Sequence, residues 1–89
     1  MITKDMIRCG IENGIISICD DSLWSSCGCK IGGYWFCFDV TDLSTNEYLK
    51  YHSMNEIIDN IFDTLEDFRV DEWDEYKYYL LLLKENLHD

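Results

Sequence analysis

A chain of 89 residues with a net charge of −11 is sized for one domain, and its charge repels a phosphate backbone, which sets direct nucleic-acid binding aside. Apolar residues make up 47% and aromatic residues 15%, so the composition is not that of a disordered chain, and no apolar run approaches the roughly 18 residues of a membrane span. Met1 leads into Ile-Thr-Lys-Asp without the basic and apolar regions of a secretory leader, so a cytoplasmic protein is expected.

The first expected element is a helix over 3–12. Thr3 can cap it, and Ile2, Met6 and Cys9, extended by Ile7 and Ile11, give an apolar stripe. Asn13-Gly14 ends it with the left-handed backbone that glycine accepts. Residues 15–19 are rich in β-branched side chains and read as a strand. Residues 20–26 form a polar loop holding Trp24. Two more strands, 27–31 and 34–40, are joined by Gly32-Gly33, a two-residue hairpin signal. With those glycines as the loop, Ile31 faces Tyr34, Cys29 faces Phe36 and Cys27 faces Phe38. Cys27, Cys29, Phe36 and Phe38 then share one face, and Lys30, Trp35 and Cys37 the other; a one-residue slip would invert the pattern.

Ser44 and Ser53 each stand three residues before a glutamate, Glu47 and Glu56, the pattern of a capping box. They open a short helix to about His52 and a longer one to about Phe68. In the longer one Met54, Ile57, Ile58, Ile61, Leu65 and Phe68 fall on one side, and Glu56, Asp59, Asn60, Asp63 and Asp67 on the other. Arg69-Val70 reads as a connector and Asp71 as the cap of a last helix, with Trp73, Tyr76, Leu80, Leu83 and Leu87 facing inward and Tyr78 outward. The order α-β-β-β-α-α-α predicts an α+β fold, a three-stranded antiparallel sheet packed on three to four helices. Residues 1–89 form one domain, with cysteines and sheet in 1–40 and acidic helices in 41–89.

All five cysteines lie in the first 37 residues. Cys27-x-Cys29 sets two thiols on one strand face, Cys19 ends the preceding strand, and Cys9 lies one turn before Asn13-Gly14. Cys9, Cys19, Cys27 and Cys29 are therefore candidate ligands for a structural Zn²⁺, which takes four soft ligands in a closed tetrahedral shell. Cys37 and His52 are the substitutes for the fourth position. Paired CxxC knuckles are absent, and two other readings stand beside zinc. Cysteine is among the most buried residue types, and exposed low-pKa thiols would serve redox chemistry. A Cys–His nucleophile needs a histidine beside a thiol, and only His52 and the penultimate His88 exist. No phosphate-cradling glycine loop or nucleophile elbow is present, so no enzyme is expected.

The charge is lopsided. Residues 1–40 hold five acids against three bases, and residues 41–89 hold thirteen against four. The acids lack the alternating spacing and central glycine of a calcium loop. Asp59, Asp63, Asp67, Asp71, Glu72, Asp74 and Glu75, with Tyr78, form the candidate partner-binding surface, since acids steer a basic partner and tyrosine and tryptophan anchor it. Its plain alternative is a solvated face that only keeps the protein soluble.

In its small size, strong acidity, lack of catalytic motif and expected α+β build, the chain resembles phage anti-CRISPR proteins directed against a type II RNA-guided nuclease. The group Cys9, Cys19, Cys27 and Cys29 also resembles that of a zinc-containing member. The resemblance implies an inhibitor acting in the host cytoplasm, docked on a basic region of the nuclease and blocking target-DNA loading. The competing expectation is a zinc-stabilised regulatory or antitoxin-like protein of a mobile element, bound to another basic partner. A thiol-based redox or metal-transfer protein is the third.

Overall fold

Thr3 begins the first helix. In the computed structural model, which describes residues 1–20, 27–37 and 45–85, its hydroxyl accepts the Met6 amide at 3.2 Å while the Thr3 amide meets the Met6 sulfur at 3.4 Å. Two otherwise open amides are thus satisfied, and α1 runs over Lys4–Glu12. Gly14, with φ of 78°, turns the chain into β1 (Ile16–Asp20). Strands β2 (Cys27–Ile31) and β3 (Tyr34–Cys37) complete an antiparallel sheet in the order β1-β2-β3. Gly32 alone of the two loop glycines takes a positive φ, 61°, as a type II′ turn requires. The expected register is observed: Ile31 pairs with Tyr34, Cys29 with Phe36 and Gly28 with Cys37. Phe38, like Trp24 and Leu87, lies outside the described residues.

Three further helices follow, α2 (Thr45–Tyr51), α3 (Met54–Asp71) and α4 (Trp73–Glu85). The Ser53–Glu56 capping box forms in both directions, at 3.3 and 3.0 Å, and starts α3 where expected. The architecture is the α+β fold read from the sequence. The inner sheet face, with Ile16, Cys27, Cys29, Ile31 and Phe36, packs on one apolar cluster drawn from all four helices. Three buried phenols have their hydroxyls met: Tyr48 by Asn60, Tyr76 by the Ile2 amide at 2.7 Å, and Tyr79 by Glu75.

Three expectations change. Helix α1 buries Met6, Ile7 and Gly10, leaving Cys9 half-buried, because Gly10 is the point of closest approach. A Cβ there would meet Leu83 Cδ2 at 2.7 Å and Ile16 Cδ1 at 3.0 Å. Arg69-Val70 is no connector: α3 continues through Asp71 and breaks at Glu72. Helix α4 is rotated, burying Tyr76, Tyr79 and Leu83, with Leu80 half-buried and Trp73 exposed.

Candidate functional site

Helix α3 sorts its residues by charge. Ile57, Ile58, Ile61 and Leu65 are buried, and the helical period throws Asp59, Asp63 and Asp67 to the opposite side. All three are exposed, as is Asp71 at the helix end. Each of the four has a like charge one turn away, an arrangement that costs helices roughly 0.2–0.5 kcal/mol per pair. The C-terminal turn that carries Asp71 is also where the helix dipole favours cations. Asp59 is offset by Lys4, with Nζ 2.9 Å from Oδ1. Among the described residues no salt bridge reaches Asp63, Asp67, Asp71, Glu72 or Asp74.

At Glu72 the backbone leaves the helix (φ −136°, ψ 67°). Two exposed apolar side chains flank this elbow in the chain, Val70 before it and Trp73 after it. Val70 is 71% exposed and Trp73 52% exposed, the indole stacked on Tyr76 at 5.6 Å and 25°. Glu75 differs from its neighbours, being half-buried and accepting the Tyr79 hydroxyl at 2.7 Å. Burial and that hydrogen bond push the Tyr79 phenol well above its ordinary value of 10.0. Tyr78 is exposed and meets Tyr34 edge-on, with ring centres 5.3 Å apart. Glu72, Asp74, Glu75 and the two rings line an open groove of about 300 Å³.

The cysteines divide between the sheet faces. Cys27 and Cys29 are buried on the inner one. Cys19 pairs with Gly28 and so lies on the outer face with Cys37, half-buried and exposed respectively. None of the five forms a disulfide. Among the described residues no three His, Cys, Asp or Glu side chains gather into a group able to hold a metal ion. Burial first, then nearby Cys19 and Cys27, push the Cys29 thiol well above its ordinary 9.0, so it is protonated at neutral pH. His52 stacks on the Tyr48 ring at 4.3 Å, and its Nδ1 lies 3.0 Å from the Tyr48 carbonyl oxygen.

The structure thus places Asp59, Asp63, Asp67 and Asp71 along one helix face and Glu72, Asp74, Glu75 and Tyr78 beside the elbow. It adds Tyr34, Val70 and Trp73. Tyr34 carries one local signal, its place beside the Gly32-Gly33 turn at the end of the sheet. No protein-family model, curated protein or solved structure matches this chain. Among the described residues no helix is long and apolar enough to cross a membrane.

Proposed function

We propose that this protein is an inhibitory docking module whose acidic α3 face and α3–α4 elbow bind a basic nucleic-acid-handling protein, a type II CRISPR nuclease in particular. The observation that supports this is the row Asp59, Asp63, Asp67 and Asp71, exposed and locally unfavourable to its own helix. Such a nuclease holds its guide–target duplex in a positively charged channel through backbone contacts. A rigid helix bearing carboxylates one turn apart competes for that surface without copying DNA geometry. Long-range attraction speeds encounter, and Trp73 and Val70 supply the desolvated anchor that slows release. Occupying the channel blocks target-DNA loading. The sheet carrying Cys27 and Cys29 is scaffold, with no chemical step of its own.

The test is the triple variant Asp63→Lys/Asp67→Lys/Asp71→Lys, titrated against the guide-loaded nuclease at several salt concentrations. Affinity is expected to fall about tenfold or more, with a flatter salt dependence. Equal affinity and equal slope overturn the reading. Wild-type protein that ignores the nuclease and retains a basic toxin favours the antitoxin-like alternative instead.

A further inference from the structure

We propose that the groove between the β2–β3 turn and the first turn of α4 receives one arginine side chain of the partner. This inference rests on the docking role above and names the residue that anchors beside the elbow. Two tyrosine rings form its wall. Tyr34 is 51% and Tyr78 38% exposed, and they meet edge-on at 5.3 Å and 80°. Both are held in place before any ligand arrives. Tyr34 also meets the buried Tyr79 ring at 6.2 Å, and Tyr79 is tied to Glu75. Tyr78 lies over the turn because Gly32 has no side chain: a Cβ there would stand 2.7 Å from the Tyr78 hydroxyl and 2.7 Å from Leu82 Cδ1. A wall already ordered loses little entropy on binding.

The lining selects the occupant. Glu72, Asp74 and Glu75 complete a groove of about 300 Å³, the scale of one side chain rather than a domain. Carboxylates beside aromatic rings exclude anions and attract a cation, which gains further from a ring face. Arginine fits better than lysine. Its planar guanidinium lies flat on a ring, gives paired donors to a carboxylate, and sheds water more readily than an ammonium.

The test uses the full chain and three capped tripeptides, Gly-Arg-Gly, Gly-Lys-Gly and Gly-citrulline-Gly, followed through tyrosine ring resonances by NMR. The arginine peptide is expected to shift Tyr34 and Tyr78 saturably. Citrulline, the same shape without charge, leaves them in place, and lysine binds about fivefold more weakly. Tyr34→Ala and Tyr78→Ala each weaken the arginine peptide about fivefold. Equal shifts from arginine and citrulline overturn the inference, and need no variant that must fold. Arginine shifts spread evenly over all the acidic helices, with Tyr34 and Tyr78 unremarkable among them, overturn it too. The Asp63→Lys/Asp67→Lys protein keeps the arginine response, so failure of the groove and failure of α3 docking are read separately.

Discussion

The Tyr79 hydroxyl donates to Glu75 Oε1 at 2.7 Å, one helical turn back along α4. Glu75 is therefore partly a structural residue, unlike the exposed acids around it. Glu75→Lys leaves a buried phenol without its acceptor and is expected to cost about 1–3 kcal/mol, read as a lower urea midpoint. Glu75→Gln keeps an acceptor and costs less. Equal midpoints for wild type and Glu75→Lys would mean the hydrogen bond contributes nothing.

Asp63 and Asp67 behave in the opposite way. Each repels a carboxylate one turn away and neither has a salt bridge among the described residues. Asp63→Lys/Asp67→Lys turns the contacts with Asp59 and Asp71 from repulsive to attractive and leaves one like-charge pair, between the two new lysines, so stability is expected to hold or rise by about a few tenths of a kcal/mol, while partner affinity falls. A large drop in melting temperature would show that the row serves the fold.

Much of this arrangement was legible in the residues themselves. The Ser53–Glu56 box placed the start of α3, and Gly32-Gly33 placed the hairpin register, which set Cys27 and Cys29 inward and Cys37 outward. The acidic row follows from helical spacing alone. The end of α3 was not legible, because no glycine or proline stops it and Arg69 and Val70 are both tolerated in a helix. Nor was the face of α4. Tyr76, Tyr78, Tyr79 and Leu80–Leu83 are apolar all round, so only tertiary partners choose among them. Tyr79 turns inward where its ring meets Phe36 at 5.8 Å and Phe68 at 6.1 Å. The Tyr34–Tyr78 pair needs a turn and a distant helix to meet, which no local pattern encodes.

Gly28 and Gly33 offer a paired test of the sheet. A Cβ at Gly28 would run into the Phe36 carbonyl oxygen, Trp35 Cζ2 at 2.6 Å and Cys37 Cα at 2.8 Å. The Trp35 indole crosses this position to donate to the Cys19 carbonyl at 3.2 Å. Two of the obstacles are backbone, so β3 must move, and Gly28→Ala is expected to cost about 1–3 kcal/mol in denaturant unfolding. Gly33 has nothing within 4 Å of its would-be Cβ, and Gly33→Ala is expected to be tolerated. Equal stabilities for the two variants would contradict the packing of Trp35 across β2.

Stability is expected to decline on the alkaline side. Burial raises Tyr79, Tyr48 and Cys29 above their ordinary values of 10.0, 10.0 and 9.0. Each binds its proton more tightly folded than unfolded, so its contribution is full below the ordinary value and lost as pH climbs toward the folded one. Melting temperature is expected to fall from about pH 9 upward. Tyr79→Phe lowers stability at neutral pH but flattens that fall. Glu56 works in the acid direction: bonds from Ser53 hold it below its ordinary 4.5, so its contribution is present above that value and lost as pH drops through the lowered one. Glu56→Gln is expected to flatten the acid limb, seen in melts between pH 3 and 6. A melting temperature constant from pH 8 to 11 would refute the alkaline half.

The five thiols should separate by accessibility under native conditions. Cys37 is exposed on edge strand β3, Cys9 and Cys19 are half-buried, and Cys27 and Cys29 are covered within the core. Mass-resolved labelling with a thiol reagent at pH 7.5 is expected to modify Cys37 first, then Cys9 and Cys19. Cys27 and Cys29 should react only when the chain unfolds, because burial blocks the reagent and disfavours the reactive thiolate. The same experiment with a chelator examines zinc. Cys27 and Cys29 are already covered by protein atoms in the core, so a chain whose fold does not use zinc keeps both their protection and its melting temperature on chelation. If chelator releases about one zinc per chain and opens those two thiols together, Cys27 and Cys29 are metal ligands, and the sheet depends on the bound zinc for folding.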